Sequence, residues 1–384
     1  MQQYLYAAIG PKLICFEPRL KSCALVDRGS IKFDLNIQYI WPHSDKRTIY
    51  LALSDGGPGT AGEKHEIQAC EIDGSSGAVR LLGAPQAVPF RPLHLCTDKT
   101  GTHLLVACNN PSALIVHKLN TDGSVGSQTS TNVSSDTGIF GHQVMVMPDG
   151  KSVILVCRGY DASEIADEQP GSLQVFDYHD GELTLVKSIK PEGGFGFGAR
   201  HLDFHPNAKW LYLTVERQNE IHVFYIGNGQ LSETPLYRVS TLSRKVNLGA
   251  RQASSAIRVA ASGNFVYVSN RTYGRIETMV GSVIPSGEDN IAVFKIDHRT
   301  GEPTPIQHID TQGSLPRTFS IHASGKMLVA ANSEAATKIN SAGVAENLPL
   351  SLIIYHVSTN GILTERQRIK FPEKKELLFW AGFL

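Results

Sequence analysis

One pattern recurs six times along this chain of 384 residues: a short β-rich run, a polar turn of the Pro-Asp-Gly or Ser-Gly kind, and a second β-rich run. The copies are IQYIWPHSDKRTIYLAL (37–53), LHLCTDKTGTHLLVAC (93–108), HQVMVMPDGKSVILVC (142–157), RHLDFHPNAKWLYLTV (200–215), AIRVAASGNFVYVSN (256–270) and RTFSIHASGKMLVAAN (317–332). Apolar/polar alternation on either side of turn-forming residues makes each an antiparallel hairpin. A third strand follows most of them (SALIVHKL, SLQVFDY, EIHVFYI, NIAVFKI, LSLIIYHV). A Gly-containing turn and a more polar fourth strand come next. The spacing of roughly 50 to 60 residues is that of a large repeat unit, and four antiparallel strands repeated radially define the blade of a β-propeller.

Tyr4–Gly10 and Lys12–Glu17 supply the middle strands of a seventh blade. Its remaining strands are expected from the C-terminus, where LTERQRIKF and ELLFWAGFL are left over. Pairing of N- and C-terminal strands would close the ring and remove open sheet edges. The expected fold is therefore all-β, a seven-bladed β-propeller of four-stranded blades forming a single domain over 1–384, with no helix longer than a turn or two. Three connections, 159–171, 273–289 and 334–349, exceed ordinary turn length and follow the second strand of their blades, so they emerge on one face. Long loops gathered on one face shape pockets. Asp55–His65 (DGGPGTAGEKH) sits at the equivalent place in an earlier blade.

Composition excludes several function classes. Lys+Arg and Asp+Glu both number 36, for no net charge and a pI near 7.2, which argues against a general grip on nucleic acid or an anionic membrane. No run approaches the roughly 18 apolar residues of a membrane span, and the first ten residues lack a signal-peptide pattern. Six cysteines fall in the first half without a Cys-x-x-Cys pair or zinc spacing. These features predict a cytoplasmic protein with structural thiols, no metal, no cofactor and a monomeric state. GGFGFGA (193–199) matches a dinucleotide fingerprint by letter only, because it precedes a strand. Asn132 and Asn270 open glycosylation-type triplets, which carry no weight in a cytoplasmic protein.

The hairpins resemble the lactonase family of seven-bladed propellers, which includes the propeller-type 6-phosphogluconolactonase and carboxy-cis,cis-muconate cyclase. The segment GFGARHLDFHPNAKWLYLTVERQNEIHVFYI (196–226) is similar to the family's Gly-Pro-Arg-His…His-Pro-Asn…Asn-Glu strand pair. GHQVMVMPDGKSVIL, SGNFVYVSNR and PRTFSIHASGKMLVAAN are further matches. The resemblance implies a metal-independent site on the propeller axis. By motif position it assigns His142, Arg200, Glu216 and Arg271 as the catalytic set. Ala199 and Val215 replace the family's usual proline and asparagine, and Ala256 stands where an acid is common. These departures bear on the substrate rather than the fold.

The residue chemistry is consistent with that set. A histidine exchanges protons near neutral pH, and Glu216, after the apolar run LYLTV, needs a cationic partner if buried. Arg200 and Arg271 are such partners, or alternatively bidentate clamps for a substrate carboxylate or phosphate. Arg317, in register with Arg200, and Arg158, in register with Glu216, are expected to enlarge the anion pocket. His65 is expected to reach the rim from its loop. His201 and His205 read as structural. The leading expectation is hydrolysis of a small anionic sugar-acid lactone, with His142 or Glu216 activating water. A muconate-type lactonising cycloisomerase would use the same pocket, and a non-catalytic binding platform is the third reading.

Overall fold

The computed structural model describes residues 2–129, 137–243, 250–278, 281–339 and 342–384. Seven sheets of four or more strands are arranged as blades, with two short two-stranded ribbons added. Blade 1 joins the chain ends: Leu378–Phe383 is its innermost strand, followed outward by Leu5–Ile9, Lys12–Arg19 and Ala24–Lys32. Blades 2 to 7 begin with innermost strands Asn36–Pro42, Pro92–Thr97, Gly141–Val146, Ala199–Phe204, Arg251–Val259 and Pro316–Ile321. The closure is thus as expected in kind but differs in detail. LTERQRIKF forms the outer strand of blade 7 (Leu363–Lys370), so the C-terminus gives blade 1 one strand rather than two. Among the described residues the helical content is one 3₁₀ turn, Pro191–Gly194.

The hairpins form for local reasons. In the blade 4 turn Met147–Gly150, Asp149 accepts the Lys151 amide at 2.9 Å and Gly150 takes φ +74°, the side-chain-stabilised turn that Asp and Gly favour. The apolar faces then pack blade against blade: Ile154, Val156 and Leu173 of blade 4 meet Leu211, Leu213 and Phe224 of blade 5. A repeated latch adds to this packing. Tyr6, Tyr50, Tyr212 and Tyr267, each on the second strand of its blade, donate their hydroxyls to the carbonyls of Gly77, Gly123, Gly301 and Gly361 at 2.7–3.2 Å. Each acceptor lies in the outer turn of the following blade, so a phenol buried for its area also finds its hydrogen bond.

One irregularity positions the site. In every blade the innermost strand slips register against the second strand at one place. The residue passed over is Gln38, Leu93, His142, Arg200, Arg317 or Phe379 in blades 2, 3, 4, 5, 7 and 1. In blade 6 Ser255 and Ala256 share the place. A bulge leaves one residue outside the ladder and re-aims its side chain. Seven bulges at one height produce a ring of re-aimed side chains around the axis.

Candidate functional site

The ring floors an axial cavity of about 440 Å³. The bulge residues Leu93, His142, Arg200 and Arg317 line it directly. Arg158, Glu216 and Arg271 join them from the ends of second strands, and Arg91 joins from just before the blade 3 bulge. The connection 159–171 adds Tyr160 and Asp161, and the start of 273–289 adds Tyr273. The third connection folds differently. Its ribbon (Ala336–Ile339 with Ala345–Leu348) is tied to the blade 6 connection, where Ile284 exchanges backbone hydrogen bonds with Thr337 and Ile339. It supplies no lining residue among those described. Residues 279–280 and 340–341 of these connections, and Asn132, lie outside the described residues.

Glu216 is the electrostatic centre of one side of the cavity. Its carboxylate lies 3.2 Å from Arg200 Nε, 3.4 Å from Arg158 Nε and 3.3 Å from an Arg271 Nη. Burial alone would raise this carboxyl, but Arg271, Arg158 and Arg200 overcome it and hold it at about 2. Arg200 is pushed well below the ordinary guanidinium value by burial and by Arg271 and Arg317, yet with Glu216 in contact it remains the cation of the pair. Burial works against Arg158 as well, but Glu216 and Asp161 more than compensate and raise it. Asp161 is itself shared by Arg158, Arg251 and Arg217 at 2.6–2.8 Å.

His142 lies between the Phe140 ring, stacked at 6.2 Å, and the His201 ring, edge-on at 4.9 Å. Burial, then Arg200, Arg317, Arg158 and Arg271, push it well below the ordinary imidazole value. It is therefore neutral at pH 7. His201 accepts from Arg200 Nη1 through Nδ1 at 3.2 Å, and farther along the axis His94 packs on Tyr39 at 4.1 Å. His205 is structural in the ordinary sense, bonding the Gly263 carbonyl of blade 6 at 3.0 Å.

The six sequence-assigned residues His142, Arg200, Glu216, Arg271, Arg317 and Arg158 all come together here. His65 does not. It is buried, with Nδ1 2.9 Å from Ser54 Oγ; it steadies the base of its loop instead of reaching the rim, and Gly57–Ala61 take the wall position. Several contributors were not anticipated, among them Asp161, Arg251 and Arg91. Arg91 falls two residues before the bulge position that carries Arg317 in blade 7, and both guanidiniums lie over the ring of Phe379 in the closing strand. The signal for Arg91 was its place before Pro92, which pairs as Pro316 does beside Arg317. Asn270 is buried and donates to the Thr241 carbonyl at 2.7 Å, so its triplet is structural. All six cysteines are buried and unpaired. Among the described residues no group of three or more His, Cys, Asp or Glu is placed to hold a metal ion.

A family model described as lactonase, 7-bladed β-propeller, matches residues 20–343. A 6-phosphogluconolactonase of Bacillus subtilis is 26% identical over 307 residues, 78% of each chain. One from Formosa agariphila is 25% identical over 272 residues, 70% of this chain and 71% of its own. Among solved structures, a periplasmic gluconolactonase of Pseudomonas aeruginosa superposes with TM-score 0.72 at 17% identity, covering 100% of this chain and 99% of that one. A Lactobacillus plantarum protein does so with TM-score 0.74 at 21% identity over all of both chains. At those identities the two structures speak to the fold alone.

Proposed function

The chain belongs to the lactonase family of seven-bladed β-propellers, and from that premise we propose that it hydrolyses a small anionic sugar-acid lactone in its axial cavity. The observation that carries the reading is a neutral, buried His142 that shares one cavity with a carboxylate ringed by three guanidiniums. In the proposed step His142 takes a proton from water as the water oxygen bonds to the lactone carbonyl carbon. The carbonyl electron pair moves onto oxygen, where Arg200 or Arg271 stabilises it. Collapse breaks the ring C–O bond, and the proton returns from His142 to the departing alkoxide. This leaves an open-chain hydroxy acid.

Glu216 is the weaker candidate for base. Its oxygens are already engaged by Arg200, Arg271 and Arg158, whereas His142 Nδ1 has no protein partner among the described residues, so the proposed task of Glu216 is to fix the three arginines in place. No observation favours the cycloisomerase or the binding platform over hydrolysis. No helix among the described residues is long and apolar enough to cross a membrane, and six free thiols support a reducing compartment such as the cytoplasm. Proton release from 6-phosphogluconolactone and glucono-1,5-lactone at pH 7.5, measured for wild type and His142→Asn, tests the reading. Catalysis lost in the variant supports it, and no catalysis with either lactone removes it.

A further inference from the structure

No hydrogen bond at Nδ1 explains how the His142 imidazole is held. That nitrogen is buried without a protein partner among the described residues, whereas a working histidine is ordinarily oriented through its second ring nitrogen. The neighbours of His142 are rings instead. Phe140 lies near-parallel to it at 16° and 6.2 Å, and His201 meets it edge-on at 4.9 Å. Phe140 is braced in turn: the Tyr160 ring stands edge-on to it at 5.1 Å, and the Arg158 guanidinium lies over it 5.6 Å from its centroid, both favourable arrangements for an aromatic ring.

The backbone under that ring is strained. Phe140 has φ +60°, in the left-handed region that bulky residues avoid. The same turn recurs two residues ahead of the bulges in blades 4, 5 and 7, at Phe140, Gly198 (φ +50°) and Leu315 (φ +53°). Each time its carbonyl accepts the amide of the residue that follows the second strand: Arg158, Glu216 and Ser333, at 2.9–3.1 Å. The blade therefore demands this conformation, and glycine meets it without strain. At Gly198 a Cβ would come within 2.5 Å of Arg217 Cγ, so glycine suits that place twice over. Blade 4 instead puts a large aromatic side chain there and lines the cavity with it. Backbone strain kept beside reacting groups points to a task for the side chain that causes it.

We propose that Phe140 is a positioning residue for the base, its ring fixing the plane of the His142 imidazole and keeping water from that face. The inference rests on the lactonase reading for the reaction that His142 serves, but not for the positioning itself. Burial is the largest influence that holds His142 low, followed by Arg200, Arg317, Arg158 and Arg271. Glu216 and Asp161 share the cavity, and the His201 ring covers the imidazole opposite Phe140. Removing the Phe140 ring relieves burial and leaves the other groups in place, so His142 should rise toward its ordinary value of about 6.5.

Four variants test this. Phe140→Gly and Phe140→Asn remove the ring with residues that tolerate the left-handed backbone; Phe140→Tyr keeps the ring; Leu315→Gly relaxes the equivalent turn in blade 7. The His142 imidazole resonance, identified by its loss in His142→Asn, is followed by NMR from pH 7.5 to 5.5. It is expected to stay neutral throughout in the wild type, Phe140→Tyr and Leu315→Gly, and to show a titration midpoint within that range in the two ring-removing variants. With glucono-1,5-lactone, those two variants should lose about tenfold or more in kcat at pH 7.5, with the acid limb of the rate displaced upward, while Phe140→Tyr restores both. A cooperative melt certifies the fold of each variant. A lower melting temperature in the ring-removing variants with an unmoved His142 resonance means a merely structural ring and overturns the assignment. If lactone is hydrolysed but neither the resonance nor the acid limb responds, the positioning role fails and the lactonase reading stands. If the resonance responds and no lactone is hydrolysed, the lactonase reading fails and the positioning of His142 stands.

Discussion

The two arcs of the axial cavity use the same side chain for opposite ends. On blades 4 to 6 three guanidiniums converge on one carboxylate, which fixes them by ion pairs and leaves the cluster net positive. On the arc from blade 7 to blade 3 two guanidiniums rest on an aromatic ring and neutral oxygens. Arginines fixed on a shared carboxylate are suited to positioned hydrogen bonding, whereas Arg91 and Arg317 are placed by an aromatic face and neutral acceptors. The counter-charge, more than the residue type, decides the task.

The largest expected effect separates the arcs by chemistry. Loss of a positioned general base costs roughly 10²- to 10⁴-fold, so His142→Asn should lower kcat by that factor. An unchanged kcat would remove the base from the arc of blades 4 to 6. Next comes stability. Glu216→Gln strands three buried cations and should cost about 3–5 kcal/mol in urea unfolding. Arg317→Met removes a cation with no partner and should be neutral or stabilising. Equal losses in the two variants would mean that the arcs do not differ in counter-charge.

Acid provides a third test. Burial first, then neighbouring guanidiniums, hold His94, His142 and His201 well below the ordinary imidazole value. As pH falls below about 6.5 the unfolded chain takes up protons that these folded imidazoles refuse. Stability should therefore fall by up to about 1.4 kcal/mol per pH unit for each histidine. Glu216 adds a further loss between its ordinary value of 4.5 and about 2. The rate should likewise hold from pH 7.5 to below 6.5 before its acid limb begins. Urea midpoints that do not change from pH 7.5 to 5.5 would contradict the neutral-histidine axis. The smallest effect is that of Phe379→Leu, which removes only the cation–π surface under Arg91 and Arg317 and should cost about 0.5–2 kcal/mol in urea unfolding.

Much of this was legible in the sequence, and for a physical reason. Hairpin alternation and Asp/Gly turns are local signals, so blade count and the order of strands such as 142–157 and 200–215 followed directly. The chain closure was legible in outline, but Leu363–Lys370 and the closing strand are both short β-rich runs near the end, and nothing local says which sheet each joins. The bulges were not legible. Strict alternation gives His142 and Arg200 a face but not the slip that turns them to the axis, since a bulge is a relation between two strands. Arg91 and Phe379 were missed on that account: neither occupies a motif position, and both matter through where a neighbouring blade places them. His65 was misplaced because a loop histidine in sequence became a buried partner of Ser54 once strands 48–54 and 65–72 paired.

The central claim is that this cavity opens an anionic sugar-acid lactone with His142 as base. The most direct test is initial proton release from 6-phosphogluconolactone at pH 7.5, wild type against His142→Asn, corrected for spontaneous hydrolysis. A wild-type rate well above the uncatalysed one, falling at least about a hundredfold in the variant, is the predicted result. Equal rates in the two proteins, or a wild-type rate no faster than spontaneous opening, would contradict it.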